Sequence, residues 1–228
     1  MKKIAICISL IVLIFFNCQS NIDWNNPLDP ASPSYKNKNE QVVMVNNFDQ
    51  GPEGVNFWGW DTELWSESFN SYGGAINFHF SNKVRKGNYG YSYEIIYSTL
   101  NHPDEVVGWI HFIGDKVNPL RGLFNASTLG LNKLTFWIRG DTGGEVCFVS
   151  IADGDDIETA EGVNISTVLL EKKITTTWQK ASFELSKLAL GDSINVNLTQ
   201  LQAFMIEFSA HYGPRQGKVY IDDVAFEH

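Results

Sequence analysis

The sequence predicts an all-β fold from about residue 41 onward, a β-sandwich jelly roll of two antiparallel sheets. Three observations carry it. Short β-rich or alternating runs recur along the chain, Gly, Asn and Asp turns separate them, and no stretch has helical periodicity beyond a turn near Ser186 to Leu190. The 7 Trp, 8 Tyr and 15 Phe suit a core filled by rings or a flat stacking surface.

The chain opens differently. Met1-Lys2-Lys3 and the apolar run Ile4 to Phe16 read as a signal peptide over residues 1–17, with a positive start and a hydrophobic stretch too short to span a bilayer comfortably. Cys18 follows that stretch and resembles the lipidated cysteine of bacterial lipoproteins, with Phe15 and Asn17 departing from the usual residues around it. Residues 18–40, rich in Asn, Pro and Ser, have no apolar period and read as a flexible tether. The jelly-roll domain then takes residues 41–228.

Ten strands are expected in order: Val42 to Phe48, Ala75 to Phe80, Tyr91 to Tyr97, Val107 to Ile113, Lys133 to Arg139, Val146 to Ile151, Val168 to Ile174, Gln179 to Leu185, Ala203 to Phe208 and Val219 to Phe226. Each is rich in β-branched or aromatic residues and bounded by turn formers, as in Gly140-Asp141-Thr142-Gly143-Gly144. Neither the cysteine pair nor the Trp spacing of an immunoglobulin core is present. Cys147, inside an apolar run, reads as a small buried hydrophobe.

The charge excludes some partners. With 17 Lys+Arg against 26 Asp+Glu and no basic cluster, the chain repels phosphate backbones, so nucleic acid is not expected to bind. The five histidines lack metal-ligand spacing, and no nucleophile-elbow, phosphate-loop or zinc motif occurs. A glycosidase or lyase would need two carboxylates facing across a cleft, which makes an enzyme the minority expectation.

Alternation sorts residues onto faces without saying which face is the core. Thr135, Trp137 and Arg139 share one face, and Tyr89, Tyr91 and Tyr93 another; each set is either groove or packing. Trp109 and His111 share a face of the run Gly108-Trp109-Ile110-His111-Phe112, as a groove pair or a core pair. The Trp58-Gly59-Trp60 to Trp65 loop lies in a polar setting and reads as a rim. Asp153-Gly154-Asp155-Asp156 is a solvated acidic turn, a set of ligand contacts or a short oxygen cluster for Ca²⁺, without the EF-hand template.

The order of motifs is the more specific signal. Asn47-Phe48-Asp49-Gln50-Gly51 opens the domain, Leu134 to Asp141 crosses its middle, Thr176 to Leu185 follows, and Gly217-Lys218-Val219-Tyr220-Ile221-Asp222-Asp223-Val224 closes it. This pattern resembles non-catalytic carbohydrate-binding jelly rolls, most closely the family 11 modules, with a galactose-binding-like fold. The domain of complex I intermediate-associated protein 30 shares much of it.

The resemblance implies a β-glucan-like polysaccharide in a concave groove. Trp109 and His111 would contact it with Tyr91 and Tyr93, while Trp137, Arg139, Asp153 and Glu207 would supply further contacts. It also implies a structural Ca²⁺ held by Asp49 with Asp222 or Asp223, since buried carboxylates need a partner. The expectation is therefore a monomeric polysaccharide-binding module on an exported lipoprotein of the bacterial cell envelope, joined to the membrane by its N-terminal lipid. The alternative is a structural or assembly lipoprotein whose sandwich face binds a protein.

Overall fold

In the computed structural model, residues 42–49, 51, 66–113, 124–153, 164–169, 173–187 and 196–228 are described. The signal peptide, Cys18, the tether, the Trp58 to Trp65 loop and the acidic turn beyond Asp153 lie outside them.

Among the described residues, eleven strands form two antiparallel sheets. They are β1 (Val42–Asn46), β2 (Ser66–Asn70), β3 (Ala75–Ser81), β4 (Ser92–Ser98), β5 (Val106–Phe112), β6 (Lys133–Gly140), β7 (Phe148–Asp153), β8 (Asn164–Leu169), β9 (Gln179–Glu184), β10 (Leu201–Ser209) and β11 (Gln216–Glu227). A six-stranded sheet runs β3-β4-β11-β6-β9, with β1 also pairing to β11. A five-stranded sheet runs β2-β5-β10-β7-β8. The two-sheet β-sandwich read from the sequence is therefore the fold. Strand β2 was not among the expected runs, and β8 begins four residues before the expected Val168.

The sheets meet through one apolar layer. The six-stranded sheet contributes Val43, Val45, Tyr93, Ile95, Tyr97, Leu134, Phe136, Ile138, Val219, Ile221 and Phe226, all buried. From the other sheet come Val107, Trp109, Val149, Ile151, Phe204, Ile206 and Phe208. Rings interlock across the gap: Tyr97 stacks on Phe208 at 3.8 Å and Tyr93 tilts against Trp109 at 5.0 Å between centroids. Each such ring removed from water contributes about 1.5–3 kcal/mol. Cys147 is free and buried, as expected of a small core residue.

One end of the sandwich is tightly tied. Buried Glu105, just before β5, accepts the amides of Ser71 (2.9 Å), Tyr72 (3.0 Å) and Gly74 (2.9 Å) and the Ser71 hydroxyl. Burial alone would raise this carboxyl, but those bonds outweigh it and hold the group below its ordinary pKa. Arg215 Nη2 donates to the carbonyls of Thr99 (2.6 Å) and His102 (2.7 Å). Three loops are thus locked to one another by charged hydrogen bonds.

Candidate functional site

The outer face of the five-stranded sheet carries the more distinctive surface. Register aligns Phe69 of β2, Gly108 of β5, Glu207 of β10 and Phe148 of β7 in one row. All four point away from the core, because their strand neighbours Trp109, Ile206, Phe208 and Val149 point into it. Phe69, Glu207 and Phe148 are half-buried. The Phe69 ring lies over Gly108, where any Cβ would collide with it. Further along the same outer face, Ile110, Phe112, Ala152, Ala203 and Met205 form a second, smaller apolar cluster against which Phe69 packs.

Glu207 is the polar centre of this face. The Ser150 hydroxyl donates to its Oε1 at 2.6 Å. Burial pushes the carboxyl above its ordinary pKa, and the bond from Ser150 pulls it partly back. Two half-buried rings with a carboxylate between them present what a pyranose offers in complement: apolar C–H faces and a rim of hydroxyls.

Several expected contacts are elsewhere. Trp109, His111 and Tyr93 have no exposed surface and sit in the layer between the sheets, so no sugar can stack on them. The phase of β5 is the reason: its odd residues face inward and Gly108, Ile110 and Phe112 outward. Tyr91 is half-buried, meeting Phe80 edge-on at 6.3 Å, with its ring against Gly51. Asp153 is buried and accepts the Asn197 amide, fixing the approach to β10.

Trp137 and Arg139 do face outward, but from the six-stranded sheet, so they share no groove with Glu207. Lys86 Nζ sits 4.6 Å from the Trp137 ring centroid, and Arg139 lies 5.8 Å over Tyr220. Both are cation–π packings. A shallow cavity on the same sheet is lined by Asn77, Ile96, Asp141, Thr142, Gln216 and Lys218.

The expected calcium ligands lie at an irregularity of β11 and just after β1. Asp222 and Asp223 sit where the register of β11 shifts against β6, Asp223 with φ +47°, and Asn47 Nδ2 donates to the Asp49 carboxylate at 3.0 Å. Burial first, then Asp223, raises the Asp222 carboxyl to about 7, and burial followed by Asp223 also raises Asp49. The cation beside them is Lys86: its Nζ lies 2.5 Å from Asp223 Oδ2 and its amide donates to Asp222 Oδ2 at 3.2 Å. Among the described residues no three His, Cys, Asp or Glu side chains are grouped so that they could hold a metal.

Sequence reasoning missed Phe69, Gly108 and Phe148. The signal available was Gly108 itself: a residue without a side chain in an otherwise bulky strand marks a close approach from a neighbour.

The fold is a two-sheet β-sandwich with one partly aromatic outer face. The profile of a protein family described as carbohydrate binding domain 30 matches residues 127–228, from just before β6 through β11. Among solved structures, a family 11 carbohydrate-binding module from Clostridium thermocellum, in complex with a β-1,3-1,4-mixed-linked tetrasaccharide, is 15% identical. The match covers 82% of this chain and 98% of that one, with a TM-score of 0.53. The family 30 module of a cellulosomal cellulase of C. thermocellum is 16% identical over 81% of this chain and 96% of that one, with a TM-score of 0.55. An exo-β-agarase is 10% identical with a TM-score of 0.53; 81% of this chain covers only 24% of that enzyme. No curated protein matches. The resemblance to carbohydrate-binding jelly rolls is upheld by the family profile and by the fold.

Proposed function

We propose that the domain binds a neutral polysaccharide without catalysis, on the outer face of the five-stranded sheet. The observation that carries this is the aligned row Phe69–Gly108–Glu207–Phe148, two half-buried rings flanking one carboxylate. The strands where the family resemblance expects a groove, β5, β7 and β10, are neighbours in that one sheet, which supports the reading. Glu207 accepts sugar hydroxyls while Phe69 and Phe148 meet ring faces. Affinity is modest, because each hydroxyl contact replaces one to water. By likeness to the family 11 module the ligand is a β-glucan chain.

The same reading keeps residues 1–17 as a signal peptide and Cys18 as a lipid anchor, which places a monomeric module in the bacterial cell envelope; the sequence pattern alone supports this. It also keeps a Ca²⁺ at Asp49, Asp222 and Asp223. The family resemblance in the sequence is what suggests the ion, which would have to displace Lys86 Nζ from Asp223.

Affinity electrophoresis of the full-length protein through gels carrying mixed-linkage β-glucan, xyloglucan, xylan or mannan tests the function. We expect retardation by β-glucan that is lost in Glu207→Gln and Phe148→Ala and kept in Trp137→Ala on the opposite sheet. A folded protein that migrates freely in every gel overturns the reading and leaves the protein-partner alternative.

A further inference from the structure

The loops at the Glu105 end of the sandwich hold an exposed row that the fold does not require. Tyr72, in the β2–β3 loop, is 56% exposed and stacks on His102 of the β4–β5 loop at 4.1 Å between centroids. His102 Nδ1 lies 3.8 Å from the Asp104 carboxylate, and His211 Nε2, from the β10–β11 loop, lies 3.0 Å from its other oxygen. Tyr212 follows, 58% exposed. Its ring meets Phe148 edge-on at 4.9 Å, so the row joins the sheet face at one of the two rings beside Glu207.

We propose that this ridge is an extension of the glycan-binding path, contacting sugar units of a neutral polysaccharide beyond those held at Phe69, Glu207 and Phe148. The inference rests on the groove reading above.

Three features favour it. The first is rigidity: Glu105 fixes the backbone of Ser71, Tyr72 and Gly74, and Arg215 fixes Thr99 and His102, so the exposed side chains stand on ordered loops and lose little freedom on binding. The second is chemistry. The Asp104 amide donates to His102 Nδ1 at 3.1 Å, which leaves the proton of a neutral ring on Nε2 as an outward donor. His211 Nε2–H donating to Asp104 leaves His211 Nδ1 as an acceptor. A donor, an acceptor and a carboxylate between two tyrosine faces match hydroxyls that both give and accept, whereas a flat aliphatic patch would suit a protein partner. The third is charge: a chain of net charge −9 repels acidic glycans.

Isothermal titration of the full-length protein with a mixed-linkage β-glucan and with its tetrasaccharide fragment separates ridge from groove. In Tyr72→Ala, whose ring does not touch the groove residues, we expect a several-fold weaker Kd for the polymer, from one lost ring contact, with the tetrasaccharide Kd and melting temperature unchanged. Asp104→Asn, nearly the same shape, should weaken the polymer a few-fold. An unchanged polymer Kd in both variants overturns the ridge and leaves it to a protein partner. Equal weakening of polymer and fragment with a lowered melting temperature also overturns it, as a structural effect. A wild type that binds neither ligand refutes the groove reading and takes the ridge with it.

Discussion

His111 should make the domain sensitive to acid. Its ring has no exposed surface and lies among Trp109, Phe204 and Phe48, with Ser66 Oγ 3.2 Å from Nδ1 and no partner for Nε2 among the described residues. Burial drops its pKa from 6.5 to about 3. The neutral form is therefore favoured in the folded state, and the unfolded chain takes up the proton first as pH falls. The stability this group confers is complete above pH 6.5 and is lost between there and pH 3. At about 1.4 kcal/mol for each pH unit between the two pKa values, the loss reaches about 2 kcal/mol at pH 5 and about 3 kcal/mol at pH 4. Urea unfolding of wild type and His111→Leu at pH 7, 5 and 4 measures it. The variant, apolar and of similar volume, should lose less stability than wild type by those amounts as pH falls, whatever its stability at pH 7. Parallel curves would refute the reasoning, because other titrating groups are common to both proteins.

Glu105→Gln should cost about 2–3 kcal/mol in urea unfolding, since the new amide NH₂ must face one of the loop amides that the carboxylate now accepts; a change below 0.5 kcal/mol would count against the bonding described. Because those bonds lower the Glu105 pKa, its contribution is present above the ordinary carboxylate range and is lost as pH falls through the folded value. Gly108→Ala should abolish β-glucan retardation and destabilise by about 1–3 kcal/mol, since the new methyl must evict the Phe69 ring; wild-type retardation would show that the ring is no part of the groove. EGTA should lower the melting temperature in calorimetry, and added Ca²⁺ should raise that of Lys86→Ala more than that of wild type, because the ammonium no longer occupies the Asp223 carboxylate. No response in either protein sinks the calcium proposal.

The architecture was legible because nine of the ten expected runs overlap their strands closely, each with inward residues large and apolar. The two failures have physical causes. Strand β2, Ser-Glu-Ser-Phe-Asn, is a polar edge strand whose inward Ser66 bonds to His111 instead of filling the core, so it carries no apolar alternation. At β8 the Val168–Leu170 run drew the boundary late, whereas pairing with β7 begins at Asn164, opposite Asp153. Of the proposed site, the sequence named the strands β5, β7 and β10 and Glu207 as candidates, but not Phe69 and Phe148.

That last miss follows from the strand itself. Val-Val-Gly-Trp-Ile-His-Phe is apolar on both faces, so period-two alternation gives two phases that differ by one residue and place Trp109 either in the core or in the groove. Volume decides between them. The inward position opposite Tyr93 and beside Phe204 spans the gap between two sheets, which a Trp fills and a Gly cannot. The outward position under Phe69 has no room for even a methyl group. Gly108 and Trp109 thus fix each other's direction, and that phase sets the partners of β10: Glu207 stands opposite Gly108, so a carboxylate that follows the outward residue reaches the surface rather than the core. The face proposed for the ligand is determined by where the largest side chain of β5 must go, and the aromatic rings it would offer to a sugar are the ones the core had no need of.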